Sequence, residues 1–277
     1  DLAAGRLDVS AHPFTESPGP GDVRVTSRFA ADDLLSGLTA TLHEGGHALY
    51  EQGLPEHLAE LPSGQAVSLG IHESQSLLWE NHVGRSRPFC RWLAPRLREA
   101  FPTVLAGLDH DALYAALNTV RPGPIRIEAD EVHYNLHIVL RLEIERALLT
   151  GDLAVHDVPA AWRDRARDLL GLEIADHRTG ALQDIHWCMG ALGYFPTYTL
   201  GKLYAAMLWS AVRRDLPDLD TLLAGGEFEP LLSWLRTHVH ARGSVLPAAD
   251  LCREITGHEL RADDFVAYLA GKYVGGA

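Results

Sequence analysis

Cysteine is scarce in this 277-residue chain: Cys90, Cys188 and Cys252 lie far apart and form no C-x-x-C pair. A disulfide framework and a thiolate zinc site are therefore not expected. Long apolar runs are missing as well; none approaches the roughly 20 residues that cross a bilayer as a helix. Basic charge is the minority sign, with 24 Lys and Arg against 37 Asp and Glu, a formal net charge of −13. An acidic chain without a basic stripe repels phosphate backbones and anionic lipid, so neither nucleic acid nor a membrane is expected as a partner. No charged-then-apolar leader follows Asp1, and the expected setting is a reducing cytoplasm. Internal repeats, low-complexity tracts and linker-like shifts are absent too, and the expectation is one domain over 1–277. Strand-like alternation is confined to 22–28, where Val23 and Val25 sit between polar neighbours.

What remains is helical. With 47% apolar and 22% charged residues the composition is that of an ordinary globular protein. Leu34, Leu35, Leu38, Leu42, Ala48 and Leu49 recur at helical spacing until Gly53 and Pro55 interrupt them, predicting a helix over 32–52. The same reading predicts helices over 66–84, 91–100, 109–119 and 129–150, the last with Gly151 just past its end. Others are predicted over 159–170, 180–191, 200–213, 218–224, 229–240, 247–254 and 261–271. The expected fold class is mainly α with a small β element near the start.

Within the first helix stands His43-Glu44-Gly45-Gly46-His47. Positions four apart on a helix are separated by about 40° in projection, so His43 and His47 can present two imidazoles to one metal ion. Glu44 is turned by about 100° from His43, placed to hold a metal-bound water rather than to join both histidines as a ligand. Gly45 and Gly46 each cost about 1 kcal/mol against Ala inside a helix, which points to close packing on this face. A metzincin site would need glycine at Tyr50 and histidine at Gly53, so that class is excluded. The remaining common solution draws a carboxylate from a following helix. Glu73, in His72-Glu73-Ser74-Gln75, follows His47 by enough chain for a helix end, a loop and an antiparallel return. Two histidines, one glutamate and a water leave the open position a hydrolytic zinc needs. His72 and Glu80 compete with Glu73 as third ligand.

These residues resemble the carboxypeptidase Taq (M32) family of metallocarboxypeptidases. The resemblance extends beyond the histidine pair to His12-Pro13-Phe14, Asp22-Val23-Arg24-Val25-Thr26, His72-Glu73-Ser74-Gln75, Ile125-Arg126-Ile127-Glu128-Ala129-Asp130 and Gly180-Ala181-Leu182-Gln183-Asp184-Ile185-His186-Trp187. Members are usually longer, with a helical region before the His-Pro-Phe segment. The resemblance implies a zincin-like helical metallopeptidase of gluzincin type, containing a cleft. It also implies zinc, or sometimes cobalt, as the metal, removal of single residues from peptide C-termini, and a homodimer.

On this reading His43, His47 and Glu73 hold Zn²⁺, and Glu44 accepts the proton of the attacking water. A carboxypeptidase must bind a free α-carboxylate, which suits the planar fork of an arginine. Arg126, between a breaker cluster and a helix start, is the first candidate, against a structural ion pair with Glu128 or Asp130. Arg24, on the expected edge strand, is the second. His186 or Tyr198 could donate to the tetrahedral intermediate; the competing reading makes His186, beside Trp187, a core residue. His12 either lines the cleft or fixes the turn before Pro13. Gln183 and Asp184 either orient a histidine ligand or cap the helix predicted near 180. His110 and His238 read as ordinary residues. A zinc endopeptidase or dipeptidyl carboxypeptidase shares the metal chemistry, and a non-catalytic metal-binding protein shares only the ligands.

Overall fold

Three strands precede the first long helix in the computed structural model, which describes residues 2–19 and 21–275. They are β1 (Gly5–Val9), β2 (Phe14–Gly19) and β3 (Asp22–Ser27), in the order β1-β3-β2, with β3 parallel to β1 and antiparallel to β2. The alternation at 22–28 thus marked the central strand and not an edge. Central placement explains its clarity, because Val23, Thr26 and Ser27 are buried. β1 and β2 gave no such signal. Leu7, Val9 and Phe14 are exposed, and β2 contains Pro18 and Gly19, residues an edge strand tolerates because one side of it needs no partner.

The helices are α1 (Leu34–Glu51), α2 (Leu69–Leu77), α3 (Arg87–Ala100), α4 (His110–Leu117), α5 (Tyr134–Thr150) and α6 (Val158–Leu170), followed by α7 (Pro196–Asp215), α8 (Leu219–Gly225), α9 (Glu229–His238), α10 (Ala248–Thr256) and α11 (Asp263–Tyr273). The fold is mainly helical, as expected. Among the described residues, no helix is long and apolar enough to cross a membrane. Residue contacts gather the described residues into two compact units, one from 1–117 with 200–277 and the other from 118–199.

In the first unit, side chains set the helix starts: Asp33 accepts from Ser36 N, Ser68 from Ile71 N and Ser86 from Phe89 N, each satisfying a backbone donor that the first turn leaves unpaired. Gly46 is where α1 meets α2. A methyl group there would lie 2.6 Å from Gln75 O and Ser76 Cα, so only glycine lets the two backbones approach this closely. Gly45 meets nothing within 4 Å, and packing explains only one of the pair. Gly201 plays the same part on α7, where an added methyl would lie 2.5 Å from Glu73 Cγ. The predicted helix over 66–84 starts at Leu69 and changes at Leu78 into a π-helical segment, Leu78–Gly84. The apolar core of this unit includes Tyr50, Ile71, Leu78, Phe89, Leu113, Met207, Leu219, Leu231 and Leu251. Cys90 and Cys252 are buried there as free thiols.

In the second unit α5 and α6 pack through Leu140, Ile144, Val158, Trp162, Ala166 and Leu170. Both end on glycines in the left-handed conformation, Gly151 and Gly171. The helix predicted over 180–191 does not form; only the 3₁₀ turn Trp187–Met189 is present. Leu182, Ile185 and Met189, which supplied the apparent periodicity, are exposed, so no apolar face is buried to stabilise a helix. Gly190 and Gly193 take positive φ and turn the chain instead. The segment is anchored by polar side chains: Gln183 Nε2 donates to the carbonyls of Pro124 and Thr179, at 3.0 and 2.9 Å.

Candidate metal centre

α1 carries His43 and His47 on one face, ring centroids 4.9 Å apart and nearly perpendicular. Glu73, on α2, comes to meet them: Oε1 lies 3.9 Å from His43 Nε2 and Oε2 lies 3.6 Å from His47 Nε2. One ligand atom from each of the three falls within 4.8 Å of the others. Around a tetrahedral zinc, with bonds of about 2.0–2.2 Å, neighbouring ligand atoms sit roughly 3.3–3.6 Å apart. The two Glu73–histidine separations, made by different carboxylate oxygens, are too long for hydrogen bonds and lie within a few tenths of an ångström of that spacing, while the three-atom set as a whole is more open. The donor set, two imidazole nitrogens and a carboxylate, fits a divalent ion with an open coordination position.

The two competing ligands turn instead to the far sides of the histidine rings. Glu80, on the π-helical segment, places Oε2 2.9 Å from His43 Nδ1, and its Oε1 accepts from Arg85 Nη2 at 2.8 Å. His72 places Nδ1 2.6 Å from His47 Nδ1, and its Nε2 lies 2.7 Å from Glu51 Oε1. The residue types were visible in sequence, but their orientation was not. Helical phase says which face a side chain leaves, whereas the crossing of α1 over α2 decides which nitrogen it meets.

Electrostatics separates the two ring systems. Burial alone would lower the pKa of His43, but the Glu73, Glu80 and Glu44 carboxylates around it raise it to about 9. Burial, together with the charges of His43 and His72, drives His47 down to about 2. Burial raises Glu73 above the usual carboxylate range, although His43 and Lys202 oppose it. Glu80 is held well below that range by His43 and Arg85 despite its burial. The surrounding carboxylates therefore favour a proton on His43, which a bound cation would displace.

Glu44 is buried beside the histidines, and the Thr15 hydroxyl lies 2.8 Å from its Oε2 and 2.9 Å from its carbonyl oxygen. Thr15 was not singled out in the sequence; the only signal was its place directly after His12-Pro13-Phe14. His12 bonds through Nδ1 to Pro13 O at 2.6 Å, which closes the turn leading into β2. Arg24 is exposed on the central strand and paired with Asp22, at 3.0 and 2.7 Å.

The second unit holds the other candidates. Arg126 is buried in a 3₁₀ turn, and its ion partner is Asp184 rather than Glu128 or Asp130: Nε and Nη2 reach Asp184 Oδ1 at 3.0 and 2.8 Å. Nη1 donates to Tyr134 Oη at 2.7 Å. Asp130 instead accepts from the backbone of Val132 and His133 at the start of α5, and Glu128 is exposed. Asp184 is shared, since its Oδ2 accepts from Arg141 Nε at 2.7 Å. Burial works against ionising Asp184, yet Arg141 and Arg126 hold it below the usual carboxylate range. Burial brings Arg141 down to about 10. Gln183 Oε1 accepts from Arg126 N at 2.8 Å, so Gln183 and Asp184 organise Arg126 and do not cap a helix. His186 Nε2 lies 3.1 Å from Tyr198 Oη. The His186 ring stacks on Phe195, centroids 4.3 Å apart; burial and the Arg126 charge lower its pKa.

Comparison with known proteins identifies the family. The sequence model of carboxypeptidase Taq (M32) metallopeptidases matches residues 1–273. The thermostable carboxypeptidase 1 of Thermus thermophilus is 50% identical over 273 residues, which are 99% of this chain and 53% of that protein. Carboxypeptidase 1 of Bacillus subtilis is 41% identical over 273 residues, 99% of this chain and 54% of that protein. The crystal structure of the M32 carboxypeptidase from Deinococcus radiodurans matches with a TM-score of 0.97 at 43% identity, over 99% of this chain and 55% of that one. The chain spans about half the length of these relatives. With a match from end to end and identities of this order, the chain belongs to the carboxypeptidase Taq (M32) family of metallopeptidases.

Proposed function

We propose that the chain is the catalytic domain, 1–277, of a zinc-dependent carboxypeptidase that releases single residues from the C-termini of peptides. The observation that carries this reading is the convergence of His43, His47 and Glu73, with Glu44 on the same helix. The histidines would hold the ion through Nε2 and Glu73 through its carboxylate; cobalt suits the same donors. When bound, a divalent ion lowers the pKa of a water toward neutrality and polarises the scissile carbonyl.

The remaining chemistry belongs to side chains. Glu44 takes the proton of the attacking water and returns it to the leaving amine. Arg126 receives the substrate's α-carboxylate. Support for that role comes from charge: two buried guanidiniums, Arg126 and Arg141, share the single Asp184 carboxylate, so this cluster carries an excess positive charge suited to an anion. His186 and Tyr198 donate to the developing oxyanion. Arg24 and His12, engaged with Asp22 and Pro13, have at most a supporting part in substrate binding. By the family resemblance the protein works as a homodimer on peptides, and its scarce, unpaired cysteines suit a reducing cytoplasm.

One peptide offered as free acid and as C-terminal amide, with zinc or with chelator, tests the reading by mass spectrometry. Stepwise shortening of the free acid alone, stopped by chelator, is the expected result. Internal cuts in both peptides would replace it with the endopeptidase reading, and zinc retention without cleavage would leave a metal-binding protein.

A further inference from the structure

The contact between His47 and His72 fixes more than a distance. Two Nδ1 atoms 2.6 Å apart repel if both carry hydrogens or both are bare, so the pair shares one proton. The Nε2 atom of His47 faces Glu73 at 3.6 Å, and a metal there needs its lone pair. A neutral His47 then carries its proton on Nδ1 and donates to Nδ1 of His72. A neutral His72 has its own proton on Nε2, which lies 2.7 Å from Glu51 Oε1. One requirement at the metal end thus sets every donor and acceptor as far as Glu51. The rings are held for this task. Tyr50, fully buried, presents its ring to His72 with centroids 5.2 Å apart, and the His47 and His72 centroids lie 4.6 Å apart.

We propose that His72 and Glu51 form a hydrogen-bond relay that fixes the tautomer and ring orientation of His47, making them positioning residues for metal binding rather than ligands. This inference rests on the metal reading above. The two histidine arms are built differently: His43 meets the Glu80 carboxylate directly, whereas His47 reaches its carboxylate through a second imidazole. Groups that hold a ligating histidine in this way typically change metal affinity about 10- to 100-fold when removed.

The test measures zinc dissociation constants by competition with a chromogenic chelator, for wild type and for His72→Phe, His72→Gln and Glu51→Ala. The visible spectrum of the cobalt-loaded proteins is recorded alongside. His72→Phe and Glu51→Ala are each expected to weaken zinc binding about 10- to 100-fold while the cobalt spectrum keeps its four-coordinate form. The glutamine variant, whose amide can accept from His47 and donate to Glu51, is expected to recover most of the loss. Wild-type affinity in both His72→Phe and Glu51→Ala would overturn the relay. So would a change of cobalt geometry, unrescued by glutamine, in the His72 variants alone, because it would make His72 a ligand. If His72→Phe fails to fold by circular dichroism, Glu51→Ala decides, its side chain being on the last turn of α1 and 19% exposed. A wild type that binds no zinc would remove the metal reading itself, an outcome distinct from loss of the relay.

Discussion

Glu44 and Thr15 allow the sharpest residue-scale tests. Glu44→Gln keeps the size of the side chain and removes the base; we expect zinc content to stay the same and kcat to fall by at least about 10²–10⁴-fold, measured on the free-acid peptide. Thr15→Val removes the hydroxyl 2.8 Å from Glu44 Oε2. A hydrogen bond to a charged group contributes about 1.5–3 kcal/mol, so kcat should drop roughly 10- to 100-fold with KM little changed, and Thr15→Ser should restore it. His43 gives a proton test. With its pKa raised to about 9 by the surrounding carboxylates, the metal-free cluster is protonated at neutral pH, and zinc must displace about one proton. Calorimetry in buffers of different ionisation enthalpy should show that release, and affinity should climb with pH up to about 9 and then level off. The sign for stability is the reverse. A raised folded-state value stabilises the metal-free protein fully below the ordinary 6.5 and is lost as pH rises through about 9. Of the residues concerned, those four apart on one helix were legible in sequence because helical geometry is local. Arg126 and Asp184 were not legible as a pair, because only tertiary folding joins groups so far apart in the chain.

At the scale of elements, the glycine pair in α1 separates two physical effects. Gly46→Ala would force a methyl to within 2.6 Å of backbone atoms of α2, and backbone cannot swing aside. We expect destabilisation of about 1–3 kcal/mol and weaker zinc binding, since Glu73 rides on the displaced helix. Gly45→Ala meets no atom within 4 Å and should stabilise by up to about 1 kcal/mol through helix propensity. Thermal denaturation of the two variants in parallel checks both signs. Helices with a buried stripe were readable from periodicity. Errors fell where burial and pattern part company: β1 and β2 are strands with exposed apolar residues, and 180–191 has helical spacing with nothing to pack its apolar side chains against. The π-helical turn at Leu78–Gly84 leaves no mark in the apolar pattern, because its distinctive act is to aim Glu80 at His43.

At the scale of the whole molecule, composition and periodicity were enough for a mainly helical fold. The grouping of the chain into two units was not foreseen, because no linker-like composition accompanies it: the boundaries fall near 117 and within α7. Metal removal should be felt beyond the three candidate ligands. Since an ion bound only by the folded chain stabilises it by mass action, chelator should lower the unfolding temperature and stoichiometric zinc should restore it, in a calorimetric scan of the intact chain.

The unit that holds His43, His47 and Glu73 is made of two stretches of chain separated by the whole of 118–199. Gly201 against Glu73, Tyr204 beside Gly70, and His240 bonded to Gln75 at 3.0 Å all come from the later stretch. On the ribosome, α1 and α2 are therefore made long before the helices that enclose them, and 118–199 can fold in the interval. The three candidate ligands emerge early, but the packing around α2 is complete only when residues beyond 200 have left the exit tunnel.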